Sequence, residues 1–556
     1  MNASRQTRRC SREATPRRRG SVLLVVLVVV ALLALGAYTF SETMLIETEA
    51  AVAHERGVQT RVFVDSGVEF AAALLGEPVE LGAANFYHNP EQFQGVVMRD
   101  GYAARGTGRF SIVAPVEHDL TTSSIRFGLI NESSKLNVNE LMDLDLEEIE
   151  VREMLMGLPG MSEEIADSIL DWLDEDDDIR EFGAELEYYE TLDPPYTTKN
   201  GKLESLDELL KVAGVTPDLL FGEDANRNGL LDPNEDDGED SPPYDDADGL
   251  LALGWSSYLT VHSRESNRSS DGGKKLHVNN NLLTELYDEL LDLYGDEEIA
   301  TFVIAYRMNG PLGADEDEID ELNGVEFENN REMEKFTAGI AKAAFSATGD
   351  GSAVTRGGMD LSGGATVKVR SLYDLIEVEV EAEVDGVVQT LQSPWTLDDL
   401  ASYLPEMIDL LTTTSEEYII GRININEARP EVLYGIPGMT EELATSIVGS
   451  QMIGANGEPL EDAIASHATT GWLLMEDLVD LEQMRELDEW LTTRGDVHRA
   501  QVVGFFDEGG PFTRIEAVVD ATQTPPAVVL MRDLSALGRG YLQSDLAGSV
   551  VPEGRE

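Results

Sequence analysis

Three consecutive arginines, Arg17-Arg18-Arg19, abut Gly20-Ser21, and no charged residue follows until Glu42. A helix rising about 1.5 Å per residue over 21–41 spans roughly 30 Å, one hydrocarbon core. This segment restricts the fold more than any other. It predicts one membrane-crossing helix with its basic end on the cytoplasmic side and the chain after Glu42 outside. Two cuts fit the segment. Ala34-Leu35-Gly36 is a small-x-small triplet of the signal-peptidase type. A cut between Gly20 and Ser21 leaves the apolar helix on the mature chain. The second is favoured, because the run exceeds the roughly 7–15 residues of a signal-peptide core. From Glu42 to Leu75 the texture stays helical, with Leu45, Val52, Val62, Phe63, Val68, Phe70, Leu74 and Leu75 set among Glu, Gln and Arg without a proline.

The basic leader ending at Gly20, the apolar helix, and Val64-Asp65-Ser66-Gly67-Val68-Glu69-Phe70 resemble type IV pilin-like proteins. Among these the chain is most similar to the K-type minor pseudopilin of the type II (general) secretion pathway. Ordinary pilins carry a glutamate five positions after the cut, where this chain has Val25. Such a glutamate pairs, inside the bilayer, with the free amino terminus of the subunit ahead; charge in hydrocarbon is tolerated only when paired. A subunit without it has nothing ahead to pair with, which suits a filament tip. Without the resemblance, Val25 is one more apolar residue of a signal anchor.

Net charge is −66, from 106 acidic and 40 basic residues. Acidity of this degree argues against nucleic acid and anionic membrane surfaces as partners. It fits a solvated surface, divalent cations or a salt-rich habitat. The only cysteine, Cys10, lies in the leader, so the remainder relies on its core or on metal rather than on disulfides.

The expected fold is α+β: a pilin-like long N-terminal helix and antiparallel sheet, with a large, mostly helical insertion. Residues 1–20 are the leader, 21–41 the transmembrane part of the helix and 42–80 its soluble part. Residues 81–132 read as strands, with Gly95–Met98, Gly108–Ala114 and Ser124–Ile130 as candidates. The insertion begins over 133–310, where Asn139 is the expected helix N-cap. Residues 311–420 read as an acidic and Gly-rich elaboration, with surface loops at Ala314–Glu318 and Thr348–Gly364 and a hairpin turning at Asp385-Gly386. A second helical part covers 421–492, C-terminal strands 493–547 and a tail 548–556.

The insertion repeats itself. Leu158–Ile169 and Ile436–Ile447 share eight of twelve residues, each preceded by an Asn-x-Asn element at 137–139 and 424–426. A weaker third copy is Lys275–Asn279 followed by Gly295–Ala300. The pattern predicts a helix-hairpin-helix unit with Gly160 and Gly438 at its turns. In DNA-binding proteins such turns face a phosphate. Here Glu163-Glu164 and Glu441-Glu442 follow them and would repel one, so packing is the expected role. The series from Asp171-Trp172 through Gly183-Ala184-Glu185, the paired Tyr188-Tyr189 and Pro194-Pro195-Tyr196 to Ser205-Leu206-Asp207-Glu208-Leu209 carries the strongest resemblance to the K-type family. Asp171, Asp174, Asp176 and Asp178 form a candidate cation cluster, or else a solvated acidic turn.

Asp224–Glu235 has the EF-hand loop spacing. Oxygen side chains stand at Asp224, Asn226, Asn228, Asp232 and Glu235, Gly229 is at the bend, and Leu230 offers its carbonyl. Calcium is the expected cofactor, in a structural loop, because the acidic, Pro-containing 236–248 gives no second helix; family resemblance adds to this. The seven histidines show no paired ligand spacing, and neither a nucleophile elbow nor a phosphate-binding loop occurs, so no enzyme activity is expected. The resemblance implies a minor pseudopilin at the tip of the pseudopilus, helping to start its assembly and protein export. Its bulk would lie in the periplasm and its anchor in the inner membrane. Implied partners are the I- and J-type minor pseudopilins, the major pseudopilin, the inner-membrane secretion platform and the prepilin peptidase. The alternative is a signal-anchored or exported acidic calcium-binding protein with hairpin modules, conceivably enzymatic.

Overall fold

The computed structural model describes residues 20–548 except 78–85, 101–105, 117–124, 145, 239, 243, 314–353 and 452–465. Residues 1–19 of the leader, the acidic run at 314–318, residues 348–353 and residues 549–556 of the tail lie outside the described residues. Helix α1 is continuous from Gly20 to Leu75. Among the described residues it is the one helix long and apolar enough to cross a membrane. Val22 to Phe40 are exposed along its first part, whereas Phe63, Val64, Val68, Ala71 and Ala72 near its end are buried. These positions recur at helical spacing and lay one face of α1 on a sheet.

That sheet has seven strands: β1 (Val96–Arg99), β2 (Gly108–Pro115), β3 (Ile125–Arg126), β4 (Ile130–Asn131), β5 (Val497–Phe506), β6 (Thr513–Asp520) and β7 (Ala527–Asp533). Its order is β1-β2-β5-β6-β7, with β3 on β2 and β4 on β5, and every pairing is antiparallel. Helix and sheet approach closely because Gly67 has no side chain; a Cβ there would stand 2.6 Å from Val502 Cγ1 and 3.0 Å from Phe110. The Ser124–Ile130 segment, read as one strand, is broken in two over its described part. Gly128 lies under the Tyr87 and Phe86 carbonyls, and the buried Arg126 bonds the Pro115 and Leu129 carbonyls at 3.0 and 2.7 Å, which bends the chain between β3 and β4.

The chain leaves the sheet after β4 and returns at β5, and these two strands pair with each other through His498↔Asn131 and Arg499↔Ile130. The insertion therefore hangs from one narrow neck. Glu132, fully buried there, accepts from Arg499 Nε at 2.7 Å and Nη2 at 3.1 Å, and from the Thr260 hydroxyl. Burial would raise the Glu132 carboxyl, but the charges of Arg499 and Lys135 and these bonds hold it far below the usual range.

Between Leu136 and Leu491 one hydrophobic core runs without division, separate from the helix–sheet core. It is built from three similar units. Each opens on a short strand that pairs in parallel with a distant Leu-Thr: Leu136-Asn137 with Leu259-Thr260, Leu276-His277 with Leu411-Thr412, and Ile423-Asn424 with Leu491-Thr492. In the first unit a basic residue just ahead of that strand, Lys135, bonds the Ser256 carbonyl at 2.9 Å. Its counterpart in the second, Lys275, bonds the Ile408 carbonyl at 2.7 Å. Both acceptors lie three residues before their Leu-Thr. In each unit a helix–turn–helix follows: α2 (Glu148–Met156) with α3 (Glu163–Leu173), α4 (Leu283–Tyr294) with α5 (Glu297–Asn309), and the short Pro430–Leu433 helix with α6 (Glu441–Ser450). The turns place Gly160, Gly295 and Gly438 at φ +68°, +68° and +77°.

Asn139 is not a helix cap. Asn137 caps the 3₁₀ turn at Val138–Asp143, and Glu147 caps α2. The Asn139 amide instead clasps a distant backbone, donating to the Leu203 carbonyl at 2.9 Å and accepting from the Leu203 N–H at 2.7 Å. Asn279 does the same to Val369 at 2.9 and 2.8 Å, and Asn426 donates to the His467 carbonyl at 2.9 Å. A buried amide meeting both backbone groups of one residue satisfies four polar atoms together, which explains the second Asn of the first two elements; Asn426 instead accepts from Trp472 Nε1 at 3.1 Å. Residues 354–420 are thus the second unit rather than a surface elaboration: Met359, Leu361, Val369, Tyr373 and Leu375 are buried, the first two within the stretch read as a loop. The expected hairpin is present as Glu379–Val384 and Val387–Gln392, turning at Asp385-Gly386.

Replacing Arg499 by leucine leaves Glu132 buried without its cation. A loss of about 3–5 kcal/mol is expected, read as a lowered denaturant midpoint with tryptophan fluorescence.

Candidate functional site

Helix α3 ends at Leu173, and Asp171 and Asp174 sit one turn apart at that end. Glu185 returns to them as N-cap of the Leu186–Tyr189 turn. Ligand-type oxygens of Asp171, Asp174 and Glu185 lie within 4.8 Å of one another. All three residues are buried. Gly183 makes room for this convergence, since a Cβ there would fall 1.9 Å from Asp171 Oδ2. Arg180 Nη1 bonds Asp171 Oδ1 at 2.8 Å and also Asp174. Asp171 Oδ2, Asp174 Oδ1 and Glu185 Oε1 are buried without a hydrogen-bond partner. Three carboxylates thus face one guanidinium. Burial, then the charges of Asp171 and Asp174, push the Glu185 carboxyl up to about 7. Burial also raises Asp171 and Asp174 against the pull of Arg180. A divalent cation fits this donor set: it removes the residual negative charge and gives the orphaned oxygens a partner.

Asp176 and Asp178 do not join the cluster. Beyond the helix end the chain turns outward, both are exposed, and Asp176 Oδ1 accepts from the Asp178 N–H at 2.8 Å. Glu185 takes the place expected of them. It lies outside the tight aspartate spacing, and its position as an N-cap was the available signal.

The Asp224–Glu235 loop is drawn in around its own acidic groups. Asp224 accepts from the Asn228 and Gly229 N–H groups at 3.0 and 2.8 Å. Glu235, 1% exposed, accepts from the Ala225 and Asp232 N–H groups, both at 3.0 Å. Asn226 and Asn228 donate to Asp232 Oδ2 at 2.5 and 2.9 Å, and Asn226 Oδ1 is buried without a partner. Burial, then the charges of Asp224 and Asp232, push the Glu235 carboxyl up to about 7. Gly229 takes φ +69° and rests on Pro115. Leu230 donates its N–H to Asn228 Oδ1 at 2.7 Å and packs its side chain against the helix–sheet core. Among the described residues no helix follows Glu235 before Trp255.

Unforeseen in the sequence was the loop's grip on the sheet. Arg514 of β6, wholly buried, bonds the Asn226 and Arg227 carbonyls. Gln501 of β5 donates to the Arg227 carbonyl at 2.8 Å, and the Tyr541 hydroxyl to the Asn228 carbonyl at 3.1 Å. Gly20 is the first residue of α1, with Ser21 the second, and Val25 is exposed on its apolar stretch. Gly160 and Gly438 occupy their turns and touch neither acidic site.

The first of these sites falls inside residues 134–221, which match the family model described as "Type II secretion system (T2SS), protein K". In this segment the chain is similar to type II secretion system protein K. A curated relative, type II secretion system protein K of Aeromonas hydrophila, is 46% identical over 57 residues. That alignment spans 10% of this chain and 17% of the relative's length. A crystal structure of the GspK-GspI-GspJ complex from the enterotoxigenic Escherichia coli type 2 secretion system aligns over 88% of this chain and 99% of its own, at 10% identity and a TM-score of 0.35.

The matched segment thus contains the Asp171–Asp174–Glu185 cluster, while the 224–235 loop lies just beyond it. With divalent cations chelated, both Glu185 and Glu235 hold a proton more tightly in the folded chain than in the unfolded one. Their contribution is fully present below the ordinary carboxyl value and is lost as pH rises through about 7. Thermal scans in chelator are expected to show stability falling between about pH 5 and pH 8, with a smaller fall in Glu185→Gln.

Proposed function

We propose that this protein is a membrane-anchored minor pseudopilin standing at the tip of a type II secretion pseudopilus. It acts by assembly rather than catalysis, helping to start the pseudopilus and so the export of proteins across the outer membrane. The observation that carries this reading is the protein K match on a chain whose N-terminal helix is apolar and exposed at one end and buried on an antiparallel sheet at the other. That arrangement supports a pilin-like unit: the apolar end sits in the inner membrane among neighbouring helices, and the sheet and insertion lie in the periplasm. Val25 supports the tip position, because this subunit has no carboxylate to pair with the amino terminus of a subunit ahead. The prepilin peptidase would cut between Gly20 and Ser21.

The partners follow from the same reading: I- and J-type minor pseudopilins beside α1, the major pseudopilin below, and the inner-membrane platform at the base. The three helix–turn–helix units are helix-hairpin-helix-like packing modules that build the cap. Calcium is the cofactor, held by Asp171, Asp174 and Glu185 and by the 224–235 loop, where Asp224, Asn226, Asn228, Leu230, Asp232 and Glu235 would supply the oxygens. When bound it supplies positive charge to buried carboxylates and stiffens the insertion.

Affinity purification of the full chain from native membranes is expected to bring down I- and J-type minor pseudopilins; isolation alone from a soluble fraction would overturn the proposal. Calcium is expected to raise the melting temperature of the full chain. Glu185→Gln and Glu235→Gln should each remove part of that rise, and both together nearly all of it. An unchanged rise in the double variant would remove calcium from these two sites.

A further inference from the structure

Where the insertion meets the sheet lies a cavity of about 120 Å³, walled by the sheet, the first unit, the 224–235 loop and the start of the third unit. Its lining runs against the composition of the protein. In a chain with 106 acidic and 40 basic residues, five cations line this space: Lys135, Arg227, Arg429, Arg499 and Arg532. Three carboxylates share it: Asp207, Asp224 and Glu516.

Two of the cations are already paired. Arg499 holds Glu132 and Glu516, and Arg532 holds Asp207 at 2.7 Å and Glu516 at 3.6 Å. The other three make no ion pair among the described residues. Lys135 donates to a neutral carbonyl, that of Ser256. Arg227 lies flat over the Phe221 ring, 3.8 Å from its centre. Arg429 faces the Tyr258 ring at 6.0 Å. These cations also press on one another. Burial, then the Arg499 guanidinium, with Arg429 adding to it, outweigh the charges of Glu132 and Glu516 and bring the Lys135 ammonium down to about 8. Burial lowers Arg227 and Arg532 adds to it, against the nearby charges of Asp207, Glu516 and Asp224. Half-buried cations of this kind cost free energy unless an anion meets them.

We propose that this cavity binds a small oxyanion, a phosphate-type ion or a single carboxylate, between Lys135, Arg227 and Arg429. Guanidinium forks and an ammonium suit the planar or tetrahedral oxygens of such a group. The space holds one such group and no larger polyanion. Because Arg227 belongs to the loop and Arg429 to the third unit, the bound anion would tie the parts of the insertion to the sheet at their common seam.

The test is isothermal titration of the full chain in detergent with sodium phosphate, and separately with an acetylated dipeptide bearing a free carboxylate and with its amide. Chloride holds the ionic strength constant. Saturable phosphate binding identifies a free oxyanion as the ligand. Saturable binding of the carboxylate but not the amide, with no phosphate binding, identifies a peptide terminus. In either case Arg429→Gln alone, and Arg227→Gln with Arg429→Gln, are expected to raise the Kd at least tenfold. Their melting temperature in chloride should not fall, since neither side chain holds an ion pair and each cation is costly while its site is empty. No saturation by either probe, or binding undiminished in Arg429→Gln, overturns the proposal.

Discussion

The buried Glu132–Arg499 pair is the interaction on which the rest depends. It sits where the chain departs from the sheet and where it returns, on two strands already hydrogen-bonded to each other. An insertion larger than the sheet can hang from it only if both its ends are fixed at adjacent points. The backbone pairing sets the spacing, and the ion pair closes the neck through the Thr260 hydroxyl at the end of the first unit. A buried pair of this kind contributes little net stability against an apolar substitute, but it penalises any arrangement that separates its members. Its value here is geometric: it fixes the direction in which the insertion leaves the sheet.

The neck alone would leave the insertion free to swing. The 224–235 loop supplies a second attachment, with Leu230 in the helix–sheet core and its carbonyls held by Arg514, Gln501 and Tyr541. Two separated attachments hold the insertion to the sheet more firmly than the neck alone. The acidic character of the chain then has a physical counterpart. Carboxylates converge at the end of α3 and within the loop, while five cations line the seam between sheet and insertion.

The long helix was legible because twenty-one uncharged residues and a proline-free continuation admit few other structures. The strands at 108–115 and 513–520 were legible because β-branched and aromatic residues stand among polar ones over a strand's length. The two repeated hairpins were visible through shared Pro-Gly-Met. The second unit was faint because its turn glycine, Gly295, keeps the backbone conformation without those neighbours. What the sequence hid were pairings set by tertiary contact. Asn139 reads as a helix cap because an Asn before a helical stretch usually is one, yet its amide closes on Leu203. Glu185 was hidden as a ligand because its partners lie a turn and a loop away, whereas Asp176 and Asp178 satisfied a local count and face solvent. Residues 354–420 looked like an elaboration because their short apolar elements bury against helices far back in the chain, at 283–294 and 297–309.

The measurement that tests the central claim most directly is the mature N-terminus of the protein from its native membranes, read by mass spectrometry. A chain beginning at Ser21 keeps the apolar half of α1 and leaves Val25 as its fifth residue, as a tip subunit requires. A chain beginning at Ala37 would lack the membrane-crossing part of α1, and the protein would then be an exported acidic protein rather than a pseudopilin.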